Sequence, residues 1–248
     1  MSDRAVQDDV IRALADAPYR ASATWRRRAL AEPERVERFA RFLARHFYYE
    51  RIVHFFKYSR ALARVTGRRP EAVLRQPGFD ALLPAVVLGS RASARAVCRL
   101  VVDHVRASDP AVPYQDDLLR YEEAMMVVEA GPRVWPETVT GTSPEVVAGT
   151  ALLELDYDLP QVLGRLLQSW TSPPEAPRQR TTVLVARSRH GRVAVARADG
   201  VVASVVQLAD GTRTMDDLAR AAGLRPGELE ATLQGLTEIG AVRFSTGS

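Results

Sequence analysis

His46, Glu50 and His54 stand four residues apart, so in a helix they share one face, an arc of about 80°. Imidazoles and carboxylates are ligands for divalent metals, and any neighbouring two of these three can reach one ion. All three cannot. The i, i+4, i+8 spacing spans about 12 Å along the axis, against bonds near 2 Å. The stripe therefore reads as a polar surface that meets a partner, and no residue is assigned as a metal ligand. Tyr48, Tyr49 and Tyr58 crowd the same segment, and amphipathic aromatics are favoured at interfaces. The expected partner interface is His46, Glu50, His54 and Tyr58, with Tyr121 and Glu122 from a later helix.

Little else in the chain has catalytic spacing. Cys98 is the single cysteine, and the nearest histidine, His104, lies six residues on, poorly placed on a helix to act as its base. Asp116, Asp117, Glu122, Glu123 and Glu129 give one helix an acidic face, better suited to solvent or docking than to paired acid–base work. There is no GxSxG elbow, phosphate loop, GxGxxG after a strand or HExxH. No catalytic residue is assigned, and the chain is expected not to be an enzyme by itself.

The 248 residues suffice for one large domain or two smaller ones. A hydrophobic fraction of 46% with 26% charged residues is ordinary for a globular protein. No apolar run approaches the roughly 18 residues of a membrane span. Acids precede the first apolar stretch, unlike a secretory signal. One cysteine excludes an intrachain disulfide and fits a reducing cytoplasm, the expected location. The net charge is +4, but of 34 basic residues only Lys57 is lysine, a bias that GC-rich coding would produce. Distribution says more: six arginines fall between Arg178 and Arg197, with Glu175 and Asp199 the nearest acids outside. That segment is suited to an acidic ligand or to a protected strand edge.

The elements that would carry these residues divide in two. Residues 34–66 hold apolar positions at helical spacing, one long helix or two, ended by Gly67 and Pro70. Short turns follow over 71–74 and 79–83, then amphipathic helices over 92–107 and 115–130. Residues 131–144 read as irregular, 151–155 as a short strand and 159–169 as a helix. Residues 171–180, with Pro173, Pro174 and Pro177, read as a linker. Beyond it, Thr181–Arg187 and Arg192–Arg197 form a hairpin around Ser188, His190 and Gly191. Thr214 opens a helix ended by Gly223, Pro226 opens another carrying Leu229, Leu233 and Leu236, and Ala241–Phe244 closes as a strand. The expected fold is α+β: a mainly helical domain over 1–170, a linker over 171–180, and over 181–248 a winged-helix-like module of a β-hairpin plus three helices.

At this point the residues resemble a known group. The run His46-Phe-Tyr-Tyr-Glu-Arg-Ile-Val-His-Phe-Phe-Lys-Tyr, then Gly67-Arg-Arg-Pro-Glu-Ala-Val-Leu and Asp117-Leu-Leu-Arg-Tyr-Glu, resembles partner subunits of multinuclear non-haem iron-dependent oxidases. Those oxidases modify ribosomally made peptides, as in methanobactin and 3-thiaglutamate pathways. Leu153-Glu-Leu-Asp-Tyr-Asp-Leu-Pro and Asp210-Gly-Thr-Arg-Thr are similar to the same group, the latter within a domain that resembles leader-peptide recognition domains. The resemblance implies an accessory chain that binds a precursor peptide and presents it to a separate barrel-shaped oxidase. It also implies that the iron sits in that partner, with no cofactor in this chain and no nucleic acid or membrane as partner.

Strand addition is the expected recognition mode. Arg187, Arg189, Arg192 and Arg197 would steer an acidic leader, and Val195, Leu229 and Leu233 would contact it. The competing expectation is a winged-helix DNA-binding regulator. Against it, the segment Gly227–Glu238 carries Glu228, Glu230 and Glu238 and no Arg or Lys, the wrong charge for phosphates and base edges.

Overall fold

The structure is a computed structural model, and it describes residues 3–28, 32–109, 112–130, 142–188 and 190–245. Its helices are α1 (Asp3–Ala15), α2 (Ala17–Ala21), α3 (Ala23–Arg26), α4 (Pro33–Phe55), α5 (Lys57–Thr66), α6 (Pro77–Leu82), α7 (Arg91–Arg106), α8 (Gln115–Glu129), α9 (Pro160–Leu166), α10 (Gly200–Leu208), α11 (Met215–Ala222) and α12 (Pro226–Glu238). Its strands are β1 (Ser143–Val146), β2 (Ala151–Leu155), β3 (Thr181–Arg187), β4 (Val193–Arg197) and β5 (Val242–Ser245). The fold is α+β. The chain packs as two compact units, one of residues 1–119 with 166–173, the other of residues 120–165 with 174–248.

The first unit is helical, and local signals set its joints. The Asp16 carboxylate accepts from Tyr19 N–H at 2.8 Å and opens α2, while Ser22 Oγ accepts from Trp25 N–H at 3.3 Å and opens α3. The apolar run of 34–66 resolves into two helices, because Phe56 leaves helical geometry at φ −95°, ψ 33°. Gly67 then ends α5 at φ 66°, a left-handed position that glycine takes without a Cβ clash. The inner face of α4 carries Ala40, Ala44, Tyr48, Ile52 and Phe55, all buried at helical spacing. Tyr48 meets Phe79 edge-on at 6.2 Å, and burial pushes its phenol up to about 12, so it stays neutral. Cys98 is buried in α7, consistent with a packing role.

The second unit contains all five strands found among the described residues. β3 is central in an antiparallel sheet ordered β2-β3-β4, with Leu153 opposite Val183 and Val185 opposite Val195. β1 and β5 form a separate antiparallel pair in which Val146 faces Val242. The β3–β4 turn closes through Ser188 N–H donating to the Arg192 carbonyl at 2.8 Å, and Gly191 takes φ 74° within it. Successive strand residues point to opposite faces. Leu184 and Ala186 join the core formed with Val205, Leu218, Leu229 and Leu236, while Val183 and Val185 are also buried on the other face. Burial on both faces explains why β3 reads as a nearly continuous apolar run.

The expected division at residues 170–180 differs from this grouping. β2 bonds to β3 and β1 to β5, so residues 143–155 belong with the hairpin and the last strand. The segment expected to be a linker has no regular secondary structure, yet Pro174 is buried and the Pro177 carbonyl accepts from Asp158 N–H at 2.9 Å. β1 also has its own partner where residues near 144 read as irregular. Of the expected 192–197 strand, Arg192 falls outside β4.

Candidate functional site

Two surfaces follow from the sequence expectations, one in each unit. In the second unit, β4 is an edge strand: β3 covers one side of it, and no strand pairs with the other among the described residues. Val195 projects from it, exposed. Such an edge presents unpaired backbone groups to an incoming extended chain.

The described arginines among those expected to steer a ligand here differ in their surroundings. Arg187 is buried, Arg192 is exposed, and Arg189 lies outside the described residues. Arg197 pairs with the buried carboxylate of Asp158, its Nη2 donating to Oδ1 at 2.6 Å and to Oδ2 at 2.8 Å. Gln161 Nε2 donates to the same carboxylate at 2.5 Å. The guanidinium of Arg197, expected to steer a ligand, is thus engaged in joining β4 to the segment before α9. Asp158 thereby gains a partner 39 residues along the chain.

Beside α12 runs a groove of about 580 Å³. Leu233 of α12, Met215 of α11 and Phe244 of β5 supply its apolar lining, and His190 contributes from the hairpin turn. The α12 side also presents Glu230, Gln234, Thr237 and Glu238. Leu229 does not line it and is buried in the core. Leu233 lines the groove but is itself 1% exposed and belongs to the same core, so the apolar surface accessible there is that of Met215 and Phe244. Local chemistry fixes α12: Pro226 opens it, and Glu228 turns back to accept from Arg225 N–H at 3.0 Å. The Arg225 guanidinium, hydrogen-bonded to the same side chain, holds the Glu228 carboxyl below the usual range.

The Asp210-Gly-Thr-Arg-Thr segment shapes the approach to α11. Asp210 Oδ1 accepts from Thr212 Oγ1 at 2.7 Å and from its N–H at 2.9 Å, which holds that carboxyl low. Thr214 Oγ1 then caps α11, accepting from Asp217 N–H at 3.2 Å. These contacts build a turn.

The other surface lies on the first unit. His46, Glu50 and His54 are exposed along α4, whereas Tyr58 in α5 is half-buried. Tyr121 and Glu122 are buried, Glu122 completely at 0% exposure. Their side chains are covered in this conformation, which leaves His46, Glu50, His54 and in part Tyr58 as the accessible members of the expected interface. That helix contributes residues the apolar pattern did not distinguish from core: Phe39 is 49% and Phe42 61% exposed. Their rings stack on each other at 6.3 Å, and Phe42 stacks on His46 at 6.2 Å. With Val10 and Leu14 of α1 and Val36 of α4 they line a groove of about 930 Å³. Exposed aromatic side chains in one contiguous patch mark an interaction surface more often than isolated apolar residues do.

Among the described residues, no three His, Cys, Asp or Glu side chains converge as a metal site requires, and no helix is long and apolar enough to cross a membrane. A scan of protein-family models gives no match to the chain, and comparison with curated proteins also finds none.

Proposed function

We propose that this chain is an accessory subunit that binds a ribosomally made precursor peptide and presents it to a separate iron-dependent peptide-modifying oxidase. In this reading the hairpin with α10, α11 and α12 is a winged-helix-like peptide-recognition module. The observation that carries it is the groove along α12, apolar at Leu233, Met215 and Phe244, in a unit that also has an open strand edge at β4. An extended peptide satisfies its backbone on such an edge and places alternate side chains against a neighbouring helix. The aromatic face of α4, with Phe39, Phe42, His46 and Glu50 exposed, is where the reading puts the oxidase. The DNA-binding alternative draws no support from α12, whose groove side carries Glu230 and Glu238.

The test is co-purification from the native host under native conditions, with metal analysis and mass spectrometry. Recovery of an iron-bearing barrel enzyme in fixed stoichiometry, lost on Phe42→Glu, supports the reading. A chain that purifies alone and retains a specific DNA duplex in a salt-dependent manner overturns it.

A further inference from the structure

The groove beside α12 also carries information about what the peptide must look like. Glu230, Gln234 and Glu238 recur at intervals of four and line the groove together, so they form one stripe along two turns of the helix. Glu230 makes no ion pair or hydrogen bond among the described residues, and Glu238 only accepts from Gln234 at 3.4 Å. Among the described residues, no Arg or Lys lines the groove. Arg197, on which an acidic ligand would have relied, is held by Asp158. Among the described residues, the groove thus holds two carboxylates without a cationic partner along α12, beside an apolar floor and with His190 contributed from the hairpin turn.

We propose, resting on the peptide-binding reading above, that the groove selects an extended segment in which two basic residues flank an apolar one at alternate positions, Lys/Arg-x-apolar-x-Lys/Arg. The spacing comes from geometry. Glu230 and Glu238 are separated by about 12 Å along the helix axis at 1.5 Å per residue. An extended chain rising about 3.3 Å per residue covers that distance in about four residues. Alternation brings residues i, i+2 and i+4 of the peptide to the same face. The outer two meet Glu230 and Glu238, and the middle one rests against the half-buried Met215 and Phe244. The ligand is thus cationic on its helix-facing side, opposite in sign to the acidic leader that the arginine-rich hairpin sequence suggests.

The experiment is selection of a phage-displayed random peptide library against the full-length chain, followed by fluorescence-anisotropy titration of the enriched peptides. The expected result is enrichment of basic residues four apart around an aliphatic or aromatic one. Affinity should fall about two- to fivefold for each of Glu230→Gln and Glu238→Gln, the range for solvent-accessible ion pairs, and should weaken with added salt. Both substitutions are on the exposed side of α12 and leave the core intact. Enriched peptides that are acidic, or that bind the two variants as well as the parent chain, overturn the charge selection and leave peptide binding standing. If no peptide is enriched and competed by its own free form, the peptide-binding reading itself fails.

Discussion

Replacing Arg197 with methionine separates a strut from a ligand-steering residue. The Asp158 side chain is 1% exposed, while that of Arg197 is 53% exposed. Removing the guanidinium leaves a buried carboxylate that still accepts from Gln161 Nε2. Loss of one member of a fully buried pair costs about 3–5 kcal/mol. Here the cation is half in water, which screens the pair and can enter the vacated space, so the expected cost is about 1.5–3 kcal/mol, the range for hydrogen bonds to a charged group. Methionine keeps much of the aliphatic stem, so lost packing contributes little. The assay is amide hydrogen exchange across Val193–Ala196 at neutral pH, with urea unfolding of the same samples. Exchange in β4 should accelerate by about ten- to a hundredfold. The Asp158→Asn variant should cost less, because it removes the desolvated charge along with the pair, and the double variant should show coupling above about 0.5 kcal/mol. Unchanged exchange and stability in Arg197→Met, combined with weakened peptide binding, would refute the strut and restore Arg197 to the ligand.

Other perturbations test the remaining elements. Leu229→Ala, a truncation at 1% exposure in the core of the second unit, should lower stability by about 2–5 kcal/mol in urea titration; a loss below about 1 kcal/mol would mean that core is loosely packed. Phe42→Glu should stay within about 0.5 kcal/mol of the parent in thermal unfolding because the ring is exposed, while abolishing recovery of the proposed oxidase partner; unfolding would instead assign the ring to packing. Gly223→Ala, at φ 68° with open space around a Cβ, should cost about 1–2 kcal/mol through backbone strain alone. Burial, helped by the Arg68 charge, holds the His104 imidazolium below the usual range. The unfolded chain therefore takes up that proton first, so the His104 contribution to stability is present above about pH 6.5 and is lost as pH falls through the lowered folded value. His104→Gln should flatten that part of a stability-against-pH profile, and an unaltered profile would show that His104 titrates alike in both states.

What could be read from the chain alone is what short-range chemistry decides. Thr181–Arg187 is a strand because β-branched and apolar residues run up to a turn that Gly191 permits. Thr214 begins a helix because its hydroxyl reaches the N–H of Asp217, and Gly67 and Gly223 end theirs because a left-handed residue must stand there. In each case the cause and the effect lie within a few residues.

Tertiary structure decided the rest. Ser143–Val146 is a strand only because Val242–Ser245 arrives from about a hundred residues away to supply its hydrogen bonds. The 3.6-residue period of α4 shows which residues share a face, but not which face finds a partner; Tyr48 is covered and Phe42 is left bare. Charge tells even less. The chain carries Arg197 beside five other arginines, yet Asp158, 39 residues earlier, pairs with it, while Glu230 and Glu238 line a groove with no ion pair to either among the described residues. An ion pair depends on distance in space, and a sequence contains only distance along the chain.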